Sequence, residues 1–74
     1  MSQKTKLPIY ENAVYSREEA AQLLGVSLST LKRLIESGQL VVSQPAGMRR
    51  VFIKGSSILR MLDATTVETG QHAR

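Results

Sequence analysis

Between Tyr15 and Gly38 the chain reads YSREEAAQLLGVSLSTLKRLIESG, two short helical segments that each carry their own start and stop signals. The first start is Ser16, followed three residues on by Glu19. At that spacing the serine hydroxyl accepts from the Glu19 amide while the carboxylate reaches back to the Ser16 amide, a capping box. Ala20, Leu23 and Leu24 then recur at helical spacing and form one apolar face. Gly25 stops the segment, because glycine takes positive φ without a steric penalty. Ser27 is the next N-cap, Leu28, Leu31, Leu34 and Ile35 repeat with helical period, and Gly38 ends the second helix. The gap between the two helices is about three residues, which suits the sharp crossing of a helix-turn-helix.

Leucines at these positions make a small core, as they would in any helical hairpin. What separates the two possibilities is the opposite face of the second helix. At about 100° per residue, Ser29 and Arg33 point most directly away from the leucine stripe, with Thr30 and Lys32 beside them. Such a set suits a DNA major groove: arginine bonds a guanine edge with two parallel hydrogen bonds, and hydroxyls and lysine take phosphates or bases. Ser27, at the helix start, joins the set. Glu36 shares the face, where it either accepts from a cytosine amino group or pairs with Lys32 or Arg33 along the helix.

Charge points to the same class of partner. Ten Lys and Arg against six Asp and Glu give a net charge of +4, and the pI is near 10.0. From Ser27 to Lys54 the basic residues are Lys32, Arg33, Arg49, Arg50 and Lys54, and Glu36 is the sole acid. Glu18 and Glu19 instead occupy the first turn of the first helix, where the helix dipole favours them. Seventy-four residues without cysteine make one small domain with no disulfide and no thiolate zinc site. The sequence holds no apolar run of membrane length and MSQKTKLPIY is no secretory signal, so the expected location is cytoplasmic. With no cysteine nucleophile and no histidine flanked by carboxylates, the chain reads as a non-enzyme without metal or cofactor. His72 stands without a metal partner in the last residues.

After Gly38 the period changes. Leu40, Val41 and Val42 lead into Gln44-Pro45-Ala46-Gly47, and a second extended run covers Arg49 to Ile53, which predicts a β-hairpin with Met48, Arg49 and Arg50 starting its return. A hairpin appended to a helix-turn-helix is a wing, and its arginines suit phosphates or a narrow minor groove. The competing reading is that adjacent arginines point to opposite faces, one solvated and one covering the edge of the core. Lys54-Gly55-Ser56-Ser57 is a turn with Ser56 or Ser57 as N-cap, and Ile58, Leu59, Met61 and Leu62 form a closing helix. Arg60 projects the other way. The expected organisation is an N-terminal arm over 1–13, a domain over 14–63 and a tail over 64–74, with Leu7, Ile9 and Tyr10 docking on the domain and Lys4 and Lys6 near phosphates. The fold class is mainly α with a small β-hairpin: three short helices and a two-stranded wing.

Taken together, EEAAQLLGVS at Glu18 to Ser27, STLKRLIESGQL at Ser29 to Leu40 and the basic segment Arg49 to Lys54 resemble the excisionase-type winged-helix family, relatives of the DNA-binding part of MerR-like regulators. The resemblance covers Val14 to Asp63. It implies that Leu28 to Ser37 is the recognition helix, that Val41 to Ile53 is the wing, and that the protein binds double-stranded DNA sequence-specifically. Contacts are then expected from Ser27, Ser29, Thr30, Lys32 and Arg33, from Met48, Arg49, Arg50 and Lys54, and at the edge of the first helix from Ser16 and Arg17. Many members place an aromatic or histidine beside the wing arginines, whereas here the neighbours are Met48 and Val51.

Excisionases bind repeated sites near an attachment site, bend the DNA and direct an integrase or other recombinase toward excision. The length fits a stand-alone excisionase better than a MerR-like activator, which adds a dimerisation helix and an effector domain. A small transcriptional regulator shares the same physics, and a protein-interaction module or a phage DNA-packaging subunit uses a similar motif. A single recognition helix covers about half a turn to one turn of duplex, so useful affinity calls for self-association on adjacent sites.

Overall fold

The computed structural model describes residues 8–67. Its elements, in order, are β1 (Val14–Tyr15), α1 (Arg17–Leu24), α2 (Leu28–Glu36), β2 (Ile53–Lys54) and α3 (Gly55–Ala64). The expected class is present: three helices and a two-stranded antiparallel sheet. The sheet itself is assembled otherwise than as two arms of a hairpin. β1 pairs with β2, Val14 opposite Lys54 and Tyr15 opposite Ile53.

The hairpin after α2 is closed by one isolated bridge, in which Ser43 and Phe52 exchange backbone hydrogen bonds of 2.8 and 2.7 Å. Its outbound arm is short because the first residues after Gly38 belong to the end of α2. The amides of Gln39 and Leu40 both donate to the Leu34 carbonyl, at 3.0 and 3.1 Å, and the Leu40 side chain is buried. Chain committed to that helix cap cannot also form a ladder. On the return, Ile53 and Lys54 pair with β1 instead.

Both predicted helix stops are found. Gly25 and Gly38 have φ of 71° and 84°, the left-handed region in which a Cβ is penalised. After Gly25 the Val26 amide donates to Ala21 at 3.0 Å and the Gly25 amide to Gln22 at 3.2 Å, a Schellman closure of α1. On α1 the fully covered positions are Ala20 and Ala21, with Leu24 packed beside them, so the apolar stripe is turned toward residue 21 and Leu23 is only half-buried.

The core comprises Ala20, Ala21, Leu31, Leu40, Ile53, Ile58 and Met61. Ile9, Tyr15, Leu34, Ile35 and Val51 pack around it. It therefore lies where α1, α2 and α3 meet the β2 strand, leaving the far side of α2 uncovered.

The start of α3 differs from its expected form. Its N-cap is Lys54, without a side-chain bond, and Ser56 and Ser57 lie inside the first turn. The unpaired amides at a helix start need acceptors. Here they are backbone carbonyls: Gly55 donates to Ala13 at 2.9 Å and Ser56 to Glu11 at 3.1 Å. The segment that supplies them is folded back on the domain, with Ile9 against the core and the Tyr10 amide donating to the Tyr15 hydroxyl at 2.9 Å. Leu7, Lys4, Lys6 and His72 lie outside the described residues.

Candidate nucleic-acid interface

The turn that aims α2 is built from local chemistry. Past the Schellman closure at Gly25, Ser27 adopts extended backbone, with φ −74° and ψ 162°, and its Oγ accepts from the Thr30 amide at 3.1 Å. The same hydroxyl donates to Thr30 Oγ1 at 3.0 Å. The structure thus brings Ser27 and Thr30 together as a hydroxyl pair at the positive end of α2, where backbone amides and the helix dipole favour an anion.

Along α2, Leu31 is buried and Leu34 and Ile35 pack on the core, while Ser29, Lys32, Arg33 and Glu36 are exposed. Thr30 is half-buried at the margin. The face opposite the core is therefore the polar and basic one that helical period predicts. Leu28 departs from its place in the apolar repeat: it is 43% exposed at the first position of α2. The period marks it as core, but at the first position of α2 it lies outside the core cluster and the side chains packed against it.

In α1, the Ser16 hydroxyl accepts from the Glu19 amide at 3.0 Å and the Ser16 amide donates to Glu19 Oε1 at 2.8 Å. That hydroxyl serves the capping box. Arg17, the first residue of α1, is half-buried.

The hairpin presents its cations on the returning arm, between the tip and the Ser43–Phe52 bridge. A turn closes between Pro45 and Met48, with the Met48 amide donating to the Pro45 carbonyl at 3.1 Å. Gln44 Nε2 donates to the carbonyls of Met48 and Arg49, both at 3.3 Å, and ties the loop across its base. Met48, Arg49 and Arg50 are exposed, whereas Val51 packs against the core and Ile53 is buried. Lys54 is exposed on β2. Arg50 does not stand free: its guanidinium lies over the Phe52 ring, 5.8 Å from the centroid.

Residues 14–66 match the family model of the helix-turn-helix domain, which takes in every strand and helix described above and well over half of the 74-residue chain. The chain belongs to the helix-turn-helix domain family. A helix-turn-helix domain implies binding to DNA, and such domains are typically not enzymes. Comparison with curated proteins and with solved structures gives no match. Among the described residues of this helix-turn-helix domain no helix is long and apolar enough to cross a membrane, and no His, Cys, Asp and Glu cluster has the makings of a metal site.

Three features of this surface are not in the sequence reading above: the exposure of Leu28, the Gln44 tie and the Phe52 ring beside Arg50. Phe52 had a signal, since it stands two residues from Arg50, on the same side of an extended strand. Gln44 had none, because a side-chain amide reaching two carbonyls across a loop leaves no periodic trace.

Proposed function

We propose that the protein is a sequence-specific double-stranded DNA-binding factor acting as an excisionase, in the cytoplasm and without catalysis of its own. The observation that carries the DNA-reading part is the outward face of α2: Ser29, Lys32 and Arg33 exposed, and Leu31 buried behind them. Arg33 bonds a guanine edge, the Thr30 hydroxyl, oriented by the proton it accepts from Ser27, donates to phosphate, and the exposed Leu28 side chain suits a thymine methyl. Met48, Arg49, Arg50 and Lys54 hold the backbone or the adjacent minor groove, and Ser16 and Arg17 lie at the edge of the footprint. The excisionase role is supported by the three sequence segments that resemble that family. On this reading several copies occupy adjacent sites and bend the DNA, and the partner integrase does the strand chemistry.

Arg33→Ala is expected to cost roughly tenfold in affinity for the preferred site and to leave binding to random duplex nearly unchanged. Arg49→Ala with Arg50→Ala is expected to weaken binding to all duplexes and to flatten the plot of log affinity against log salt by about one to two. Fluorescence anisotropy with specific and scrambled duplexes checks both. Equal loss on the two duplexes for Arg33→Ala would remove it from the reading face.

The experiment that tests the role is footprinting on the DNA flanking the protein's own gene, at two salt concentrations. Protection of several repeated sites beside an attachment region is the expected result. Protection confined to a promoter would make the protein a transcriptional regulator. Absence of salt-sensitive protection would leave a protein-interaction module.

A further inference from the structure

Arginine reaches a phosphate through a long, flexible side chain, and the rotamer freedom lost on contact reduces the affinity gained. Arg50 is already held in part. Its guanidinium stands 5.8 Å from the Phe52 centroid, within the range in which a cation is attracted to an aromatic face. The two side chains share one side of the returning strand, while Val51 and Ile53 turn toward the core. Phe52 is itself anchored. It is half-buried, and its backbone makes both hydrogen bonds of the Ser43 bridge. Beyond that bridge the loop is fastened by the Pro45–Met48 turn and the Gln44 side chain. Arg50 therefore leaves the hairpin just beyond its rigid base, with the ring as its only described side-chain partner.

We propose that Phe52 is a positioning residue, whose ring orders the Arg50 guanidinium before the wing meets DNA. The proposal rests on the DNA-binding reading above. It assigns an aromatic to the wing at a place the Met48 and Val51 neighbours do not reveal. Phe52 touches no nucleotide in this account. Its contribution passes wholly through Arg50, and that separates it from a direct contact.

The test uses the full chain in two measurements. In the free protein, NMR should show the Arg50 Nε–H and Cδ protons shifted upfield by the ring, and Phe52→Leu should abolish the shift. In anisotropy titrations, Phe52→Leu should weaken DNA binding about twofold to fivefold, whereas Phe52→Tyr, which keeps the aromatic face, should bind as the parent does. In an Arg50→Ala background, Phe52→Leu should have no further effect. Unshifted Arg50 protons in the free protein, or an equal loss for Phe52→Leu in both backgrounds, would overturn the proposal. An upfield shift in a parent chain that shows no salt-sensitive DNA binding would overturn the DNA-binding reading, and with it the purpose assigned to the ordered arginine.

Discussion

Leu31→Ala is expected to lower the stability of the domain by about 2–5 kcal/mol, the range for truncating a fully buried leucine. Leu31 has 0% exposure and belongs to the core cluster where α1, α2 and β2 meet. The alanine would leave a cavity walled by side chains from different elements, which cannot all relax into it. A small domain has only about 5–10 kcal/mol in total, so the loss is a large share of the margin. Thermal denaturation should show Tm lower by roughly 10–30 °C. The variant should also lose DNA affinity in proportion to its unfolded fraction, because α2 is held on the core by Leu31 together with Leu34 and Ile35. Unchanged Tm would show that the core is centred elsewhere.

Gly55→Ala is the second large effect, and its cause is close approach. Gly55 is buried, and a Cβ there would meet the Tyr10 carbonyl, with the Tyr15 ring 3.3 Å away on another side. The obstructing group is backbone, fixed by the bonds from Gly55 to Ala13 and from Ser56 to Glu11, so no side-chain rotation relieves the clash. The N-terminal segment must move off α3, exposing both helix-start amides. A cost of about 1–3 kcal/mol is expected, with faster hydrogen exchange at the Gly55 and Ser56 amides. Protection equal to that of the parent would mean that residues 10–13 do not cap α3.

These two residues also mark the boundary of what can be read from sequence. The α1 and α2 boundaries are legible because their signals are local: Ser16 with Glu19, Ser27 with Thr30, and glycines at 25 and 38 act within a few residues of where they stand. Leu31 as core and Arg33 as surface follow from the helical period alone. The β1–β2 pairing is not legible. Each strand is two residues long, too short for an alternating pattern, and the partners lie far apart in the chain. The start of α3 is hidden for a related reason, since its acceptors are carbonyls of Glu11 and Ala13, and a carbonyl is present at every residue. At the candidate site, the polar face and the hairpin arginines come from pattern. The exposure of Leu28 and the Gln44 tie come only from the tertiary arrangement.

The central claim is that the outward face of α2 and the returning arm of the hairpin meet DNA, and NMR titration of the full chain with duplex locates that surface directly. The amides of Ser27, Ser29, Thr30, Lys32 and Arg33 should shift together with those of Met48, Arg49 and Arg50, and added salt should return them toward their free positions. Shifts confined to α3 around Arg60 and Asp63, with α2 and the hairpin unmoved, would contradict the account.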